Sequence, residues 1–301
     1  MISIDHWIST LPPQLRERCR VLGKQSGTGA GEFVLYWMHH AVRGHENPAL
    51  DVSIHLANAR GVPVLVYQGL GGAHRYNSDR HHTFIMQGAH DAHRELEDRG
   101  IRAVFHLRRS CNDPSPLRRL AQRAAAVIAE DFPAPPFPQW TRRLALRTPV
   151  PVVAVDSCCI LPMQSQSEAF TRAYAFRQAN ADEYARRLRL DWAETPVSQP
   201  AFDGELGFAP LDLDGADIAA LCAGCAIDHG VPPVAHTRGG SRAGYRRWNA
   251  FRDQGLDQYA RLRNDAAVDW PRGVSRMSPY LHHGQVSPFR VARETSQTGG
   301  K

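Results

Sequence analysis

Five short apolar segments recur along the first half of the chain, and they constrain the fold more than any other feature. Each is five or six residues long and contains no charged residue, which is typical of strands buried on both faces of a sheet. The segments are Phe33–Met38, Val62–Tyr67, Ala103–Leu107, Ala124–Ala129 and Pro151–Val155. Their spacing predicts an α/β fold.

Segments with helical character separate these apolar runs. They are Asn47 to Arg60, His82 to Arg99, Leu117 to Gln122 and Gln139 to Leu146. Parallel strands need crossover connections of this kind, because consecutive strands start at the same edge of the sheet. The alternation predicts a doubly wound, five-stranded parallel sheet of Rossmann-like type.

The glycine-rich segments near this sheet do not predict a dinucleotide-binding loop. Gly27-Thr-Gly-Ala-Gly31 precedes the first strand, whereas a phosphate-binding loop follows a strand and opens a helix. Gly69-Leu-Gly-Gly72 follows the second strand but lacks the required spacing. We interpret the second segment as a loop and residues 1–32 as an N-terminal lead-in.

Composition limits the class of protein more than its function. The chain has 301 residues, 43% of them hydrophobic, and a formal net charge of +6 at pH 7. The charge permits a DNA-binding face, although many basic domains bind no nucleic acid. The sequence contains no apolar run of about eighteen residues and no signal-peptide pattern, so we predict a cytoplasmic protein without a membrane span. We also predict a monomer.

Cysteines and histidines do not form a metal-binding pattern. Cys222-Ala-Gly-Cys225 has the spacing of half a zinc site, but no second pair follows at the required distance. The six cysteines are too uneven for a disulfide framework, so reduced thiols are expected. The histidine pairs are adjacent residues, which point in different directions on a strand or helix. We predict no metal site.

The second half of the sequence changes character twice. Residues 157–239 contain prolines that prevent a long helix, and we interpret them as an interdomain connector with one helix from about Ala179 to Leu190. Gly239-Gly240 then opens an amphipathic helix that begins a second domain, residues 240–301. This domain contains Ser275-Arg-Met-Ser-Pro-Tyr-Leu-His-His-Gly-Gln-Val-Ser-Pro288. Its hydroxyl residues and prolines suit short helices whose N-termini receive a phosphate, although helix capping alone uses the same residues.

This string, together with Gln258-Tyr-Ala-Arg-Leu-Arg-Asn-Asp265, resembles the flavin-binding domain of DNA photolyases and cryptochromes. The residue pattern of these two segments is most similar to that of class II cyclobutane-pyrimidine-dimer photolyases. Further similarities are Arg43 and Asn47 after the first strand, Glu130-Asp-Phe132, Gln139-Trp140, and Val152-Val-Ala-Val-Asp156. The resemblance extends over most of residues 33 to 294.

The resemblance implies an antenna-type α/β photolyase domain at residues 33–156, followed after the connector by the start of an all-α FAD-binding domain. Carried over by position, Tyr259, Ser275, Met277 and Ser278 line the FAD site, and Val274 contributes only its backbone. Without the resemblance, core packing would be the ordinary explanation for Tyr259. His283 stands where the class II pattern has phenylalanine.

The implied activity is that of a deoxyribodipyrimidine photolyase, a carbon–carbon lyase that uses FAD and light to repair pyrimidine dimers in damaged DNA. An antenna chromophore of unknown identity is also implied. The catalytic residues are expected beyond Lys301, so we expect a chain truncated within the FAD domain. The alternatives are a cryptochrome-like or chromophore-binding module without repair, and an inactive remnant. A remnant would expose five aromatic and aliphatic side chains, namely Trp248, Phe251, Tyr280, Leu281 and Phe289.

Overall fold

A six-stranded sheet organises the first half of the molecule. The computed structural model describes residues 3–23, 31–71, 74, 76–166 and 169–298. The strands are β1 (Cys19–Leu22), β2 (Phe33–Trp37), β3 (Val64–Gly71), β4 (Arg102–Arg108), β5 (Ala124–Glu130) and β6 (Val152–Val155). Their order across the sheet is β1-β6-β5-β2-β3-β4. Strands β2 to β6 run parallel to one another, as predicted, and the additional strand β1 pairs antiparallel to β6.

Helices cover both faces of the sheet and form the region after it. They are α1 (Ile4–Thr10), α2 (Pro13–Arg16), α3 (Pro48–Arg60), α4 (Asp79–Asp98), α5 (Leu117–Arg123), α6 (Phe137–Ala145), α7 (Ala173–Ala179), α8 (Ala181–Arg187), α9 (Ile218–Ala223), α10 (Ser241–Gln254), α11 (Tyr259–Leu262), α12 (Ser278–His282) and α13 (Pro288–Gln297). In the described ranges, none combines the length and apolar character needed to cross a bilayer.

The two faces of the sheet follow the alternation of side chains along each strand. Val34 and Tyr36 of β2 pack in a cluster with side chains from α1 to α4. Phe33 and Leu35 pack on the opposite face, with side chains of α5 and α6. Both faces are therefore buried, which explains the continuous apolar runs that predict these strands.

Strand β1 lies within the segment interpreted as a lead-in, so the sheet begins before residue 33. Strand β1 has only four residues, one of them an arginine, which are too few to give a periodic pattern of hydrophobic residues. Arg20 pairs bidentately with Asp131, through N–O distances of 3.0 and 2.7 Å. That partner is more than one hundred residues away in sequence, which no local pattern reveals. Of the glycine segment 27–31, residues 27–30 lie outside the described residues.

The predicted connector follows the surface of the α/β region, with short elements of its own. The helix expected from Ala179 to Leu190 is observed as α8, with α7 immediately before it. Leu211 donates its backbone N–H to Phe105 at 2.8 Å, and the Trp192 indole donates to Asp51 at 2.8 Å. These contacts attach the segment to β4 and α3.

Side chains of α4 fix the start of α10. Gln87 accepts a hydrogen bond from the Gly239 N–H at 2.7 Å, and Asp91, one turn later, accepts from the Arg242 N–H at 3.1 Å. Gly240, which lies between the two donors Gly239 and Arg242, has φ = +107° and ψ = 154°, a conformation essentially restricted to glycine. The predicted helix start at the glycine pair therefore coincides with a docking point on α4.

Candidate functional site

The serine-containing turn leads into α12 and presents two hydroxyl groups. Ser275 is partly buried, and its Oγ accepts a hydrogen bond from the Met277 N–H at 3.4 Å. Ser278 is exposed and is the first residue of α12. Arg276 between them has φ = +52°, a left-handed conformation that lets the chain turn between the two serines. The turn thus brings both predicted serines to one helix start.

Met277 anchors this turn in the core. Its side chain is 2% exposed and packs in a cluster with Trp248, Phe251 and Tyr280. Phe84 of α4 belongs to the same cluster. Of the four predicted site residues, Met277 alone has a buried side chain, so its backbone is the part that the turn presents.

Tyr259 lies at the surface, at the first position of α11. It is 39% exposed, and its ring contacts Phe251 edge-on with centroids 5.8 Å apart. The guanidinium of Arg263 lies 5.9 Å from its ring centroid. Trp270 and Val274 are exposed to a similar degree, 37% and 39%. Residues 259–274 therefore carry three large exposed aromatic or aliphatic side chains.

The serine turn and the segment of Tyr259 meet through a close backbone approach. A Cβ added to Gly255 would lie 2.2 Å from the carbonyl oxygen of Pro271. Only glycine allows the end of α10 to contact the chain that leads into the turn. Phe251, which contacts Tyr259, shares a core cluster with Met277. The residues predicted from the sequence thus belong to one structural unit.

A cavity of about 660 Å³ adjoins this unit between α4, α12 and the end of the connector. It is lined by Arg80, His81, Thr83, Phe84, Gln87, Pro233, Val234, Ala235, Thr237, Arg238, Ser278, Pro279, His282 and His283. The walls combine apolar groups with two arginines and three histidines. Sequence reasoning missed this cavity because its lining comes from three segments far apart in the chain.

His283 forms part of the wall of this cavity as a neutral imidazole. Its ring centroid lies 5.3 Å from that of Phe84 and 4.9 Å from that of His282. Burial, with the neighbouring imidazoles of His282 and His81, lowers the pKa of His283 to about 3. At neutral pH it therefore presents an uncharged aromatic ring to the cavity.

The other motif residues, Arg43, Asn47 and Glu130, build the turn between β2 and α3. Glu130 accepts hydrogen bonds from the Tyr36 hydroxyl at 2.7 Å and from the Ala41 N–H at 3.1 Å. The Asn47 amide donates to the carbonyls of Ala41 and Arg43, each at 3.0 Å. Burial and the Glu130 carboxylate raise the pKa of Tyr36 well above its usual value. The chain's own turn therefore fills the space where β2 and β5 end.

One group of potential metal ligands occurs among the described residues. Ligand atoms of Asp156, Cys158 and Cys159 lie within 4.8 Å of one another. The Asp156 carboxylate already accepts the N–H groups of Cys158, Cys159 and Met163 at 2.9–3.1 Å. A hydrogen bond to the Cys159 thiol, together with burial, raises the pKa of Cys158. The carboxylate thus closes a turn, and the Cys158 thiol remains protonated.

Comparison with known proteins identifies related sequences along nearly the whole chain. The sequence profile of the DNA photolyase family matches residues 34–197, more than half of the chain. The deoxyribodipyrimidine photo-lyase of Methanothermobacter thermautotrophicus is 28% identical over 293 residues, covering 94% of this chain and 60% of that protein. The deoxyribodipyrimidine photo-lyase of Potorous tridactylus is 25% identical over 266 residues, covering 87% of this chain and 48% of that protein. The chain thus spans between 48% and 60% of the length of these relatives.

Solved structures share the fold at lower sequence identity. The cryptochrome of Synechocystis sp. PCC6803 has a TM-score of 0.63 at 14% identity, covering 88% of this chain and 55% of that one. The archaeal photolyase of Sulfolobus tokodaii, crystallised with two FAD molecules, has a TM-score of 0.60 at 14% identity, with the same coverage. These similarities support the fold assignment.

Proposed function

The chain belongs to the DNA photolyase family, and from this premise we propose that the region after Gly240 contributes to a flavin-binding domain. In this proposal Ser275 and Ser278 bind the diphosphate of FAD, the Met277 backbone contributes to the same turn, and Tyr259 contacts the cofactor. The observation that carries the proposal is the turn that brings the partly buried Ser275 and the exposed Ser278 to one helix start, anchored by Met277 in the cluster that contains Phe251, the ring contact of Tyr259. The N-terminus of a helix favours phosphate binding, because its free backbone N–H groups can donate hydrogen bonds and the positive end of the helix dipole lies there.

The chemistry of the donor set fits this cofactor. Serine hydroxyls can donate hydrogen bonds to phosphate oxygens, and the exposed apolar side chains of Trp270 and Val274 suit contact with an aromatic group. When bound, FAD would supply light absorption and electron transfer. The residues of this chain would bind and orient it, and Met277 would hold the turn in place through its buried side chain.

The activity that we propose for the protein is light-driven repair of pyrimidine dimers in damaged DNA, of the class II type. The deoxyribodipyrimidine photo-lyase relatives and the net charge of +6 support it. The alternative is a cryptochrome-like module that binds a chromophore without repair, and the similarity to the Synechocystis cryptochrome favours it.

The cavity of about 660 Å³ is lined in part by Ser278 and is therefore assigned, in this proposal, to the FAD site; cavities of this size accommodate cofactor-sized ligands. A second chromophore, an antenna molecule, is proposed for the α/β domain of residues 33–156. The Sulfolobus tokodaii photolyase, with its two FAD molecules and an implied light-harvesting cofactor, supports an antenna role. The identity of the antenna molecule remains open in this proposal.

Reconstitution with FAD tests the flavin proposal directly. We expect the purified 301-residue protein to bind FAD, detected by absorbance after gel filtration and quantified by titration. Ser275→Ala and Ser278→Ala should each weaken binding about tenfold, because each removes a hydrogen bond to a charged group. Ser296→Ala, at an exposed position of α13, is the matched control and should bind normally.

Illumination then separates the two proposed activities. The FAD-loaded protein should split pyrimidine dimers in an oligonucleotide. The measurement is the ultraviolet absorbance of the intact bases, which returns as the dimers are split. Stoichiometric FAD without dimer splitting would favour the chromophore-binding alternative. No FAD binding by a folded protein, or equal binding by all three serine variants and the wild type, would contradict the flavin proposal.

A further inference from the structure

A second cavity lies between α2, α8 and α13, and it is distinct from the site proposed for FAD. It has a volume of about 340 Å³ and shares no lining residue with the larger cavity beside Ser278. Its lining comes from α2 and α8 with the residues that follow each helix, from α13, and from Ile160 after β6. The proposed flavin site makes no use of these residues.

A buried arginine, Arg18, belongs to the lining of this cavity. It is 3% exposed, and its guanidinium donates to the carbonyl of Cys159 at 2.8 Å and to those of Asp156 and Ile160, each at 3.4 Å. No carboxylate of the described residues forms an ion pair with it. Carbonyl oxygens carry only partial charges, and a buried cation needs a full counter-charge to offset the loss of its hydration. The positive charge of Arg18 is therefore incompletely compensated.

The hydrogen bonds of Arg18 leave one edge of its guanidinium unused. All three bonds are made by Nη1 or Nη2, whereas Nε is buried and has no hydrogen-bond partner in the described part of the chain. Each Nη carries two hydrogens, so Nε and Nη2 can still present two parallel N–H groups. Arg20 holds the Asp131 carboxylate through this same edge, at 3.0 and 2.7 Å. Arg18 thus offers a buried binding edge for a carboxylate.

The two acidic side chains in the lining already have arginine partners. Arg187 holds the Glu17 carboxylate through both terminal nitrogens, at 2.7 and 2.8 Å. The side chain of Asp191 is 94% exposed and lies 3.4 Å from Arg293. Both carboxylates are thus paired with arginines other than Arg18, whose charge remains available to an anion from solution.

Apolar side chains form the rest of the wall. The guanidinium carbon of Arg18 lies 5.0 Å from the ring centroid of Phe289, and this ring stacks on Trp192 with centroids 5.0 Å apart. A stacked ring covers the face of a guanidinium and leaves its in-plane N–H groups free to donate. The aliphatic residues of the lining are Leu15, Ile160, Leu188 and Leu190. Walls of this kind suit a hydrocarbon or aromatic group beside the single charge.

We propose that this cavity binds a small apolar monocarboxylate, with its carboxylate on the Nε–Nη2 edge of Arg18 and its apolar group against Phe289 and the leucines. The bonds of Arg18 to the three carbonyls hold the turn after β6, but they do not explain the buried, unpartnered Nε. One planar edge matches the two oxygens of a carboxylate. The volume accommodates one molecule of this class. The proposal is independent of flavin binding, because the cavity and the serine turn share no residue.

Phenylacetate tests the proposal, and phenylacetamide is its uncharged counterpart of nearly the same shape. Titration calorimetry of the full-length protein should show one saturable site for phenylacetate. Tryptophan fluorescence should change along the same titration curve, because Trp192 lines the cavity. Phenylacetamide should bind about tenfold more weakly, since it cannot form the charge-assisted hydrogen bonds to Arg18.

Substitutions locate the binding site. Arg18→Lys keeps the positive charge but cannot form a bidentate pair, so it should weaken phenylacetate binding about tenfold. Leu190→Glu places a negative charge at an exposed position of the lining and should weaken binding by a similar factor. Leu146→Glu is the matched control, because Leu146 is 83% exposed and lies outside the lining, and it should bind like the wild type.

Three results would overturn the proposal. The first is no saturable binding of phenylacetate by protein that circular dichroism shows to be folded. The second is binding of phenylacetamide as tight as that of phenylacetate, which would exclude recognition of the carboxylate. The third is equal weakening by Leu190→Glu and Leu146→Glu, which would indicate general charge repulsion. Because both leucines are exposed, this pair decides the question even where Arg18→Lys does not fold.

Discussion

Single residues carry chemistry that a family pattern does not reveal, and His283 is the sharpest case. The sequence identifies it as a departure from the phenylalanine expected there, but not its environment. In the structure it contacts Phe84 and lies between two other histidines, His81 and His282. Burial is the main cause that lowers its pKa to about 3. A phenyl ring would keep the aromatic contact and remove the titrating group.

The substitution His283→Phe should therefore reduce acid sensitivity. Because the folded-state pKa lies below the ordinary value of about 6.5, the unfolded state takes up a proton first, and stability falls as pH drops from about 6.5 toward 3. We expect the difference in the free energy of unfolding, variant minus wild type, to be about 2 kcal/mol larger at pH 5 than at pH 7, because only the wild type loses the stability linked to this histidine. Urea denaturation at both pH values measures this difference. Parallel pH profiles for the two proteins would contradict it.

At the scale of elements, local signals and long-range contacts differ in what they reveal. The central strands β2 and β5 were predictable because their residues are apolar without interruption. The edge strand β1 was not, because its pairing depends on β6 and on Asp131. At the candidate site, the motif identified Ser275 and Ser278. The cavity beside them depends on the packing of α4 against α12, which periodicity does not encode.

The junction of α4 and α10 gives the prediction at this scale. An alanine at Gly240 would need a strained backbone with φ = +107°, and its Cβ would lie 2.3 Å from the Asp91 carboxylate. We expect Gly240→Ala to lower the free energy of unfolding by about 3 kcal/mol. Gly207→Ala is the matched control, because Gly207 also has a positive φ of +72° but no atom within 4 Å of the added Cβ. It should lose only about 1 kcal/mol, and equal losses in denaturant titrations would show that the contact with α4 contributes nothing.

In the molecule as a whole, the helical region that follows Gly240 packs against the α/β region. The expectation that a remnant would expose its apolar side chains is wrong for Trp248, Phe251, Tyr280 and Phe289, which are at most 8% exposed. Phe84 of α4 joins the first three in one cluster, and Phe289 stacks on Trp192 with ring centroids 5.0 Å apart. The α/β region and the connector thus supply the covering surface.

Polar contacts tie the same regions together around Arg43 and Glu46. Arg43 is 2% exposed, and its guanidinium donates to the carbonyls of Glu46, Ser157 and Gly284. The Glu46 carboxylate accepts from the Ser287 hydroxyl at 2.7 Å and from Arg293 at 2.6 Å. One turn therefore holds the α/β region, the connector and the start of α13. We therefore expect loss of the Glu46 carboxylate to weaken the attachment of α13.

Limited proteolysis measures this coupling. During brief trypsin treatment we expect fragments that extend through α13 to persist, because cleavage requires local opening and the contacts around Glu46 oppose it. Glu46→Gln should speed cleavage after residue 240 several-fold, since it weakens two charge-assisted hydrogen bonds. Glu97→Gln is the matched control, because Glu97 is exposed on α4 and its carboxylate has no ion pair or hydrogen bond to any residue that the structure describes; it should digest like the wild type. Intact mass spectrometry identifies the fragments. A stable core ending near residue 160 in the wild-type digest would mean that the helical region is not held by the α/β region.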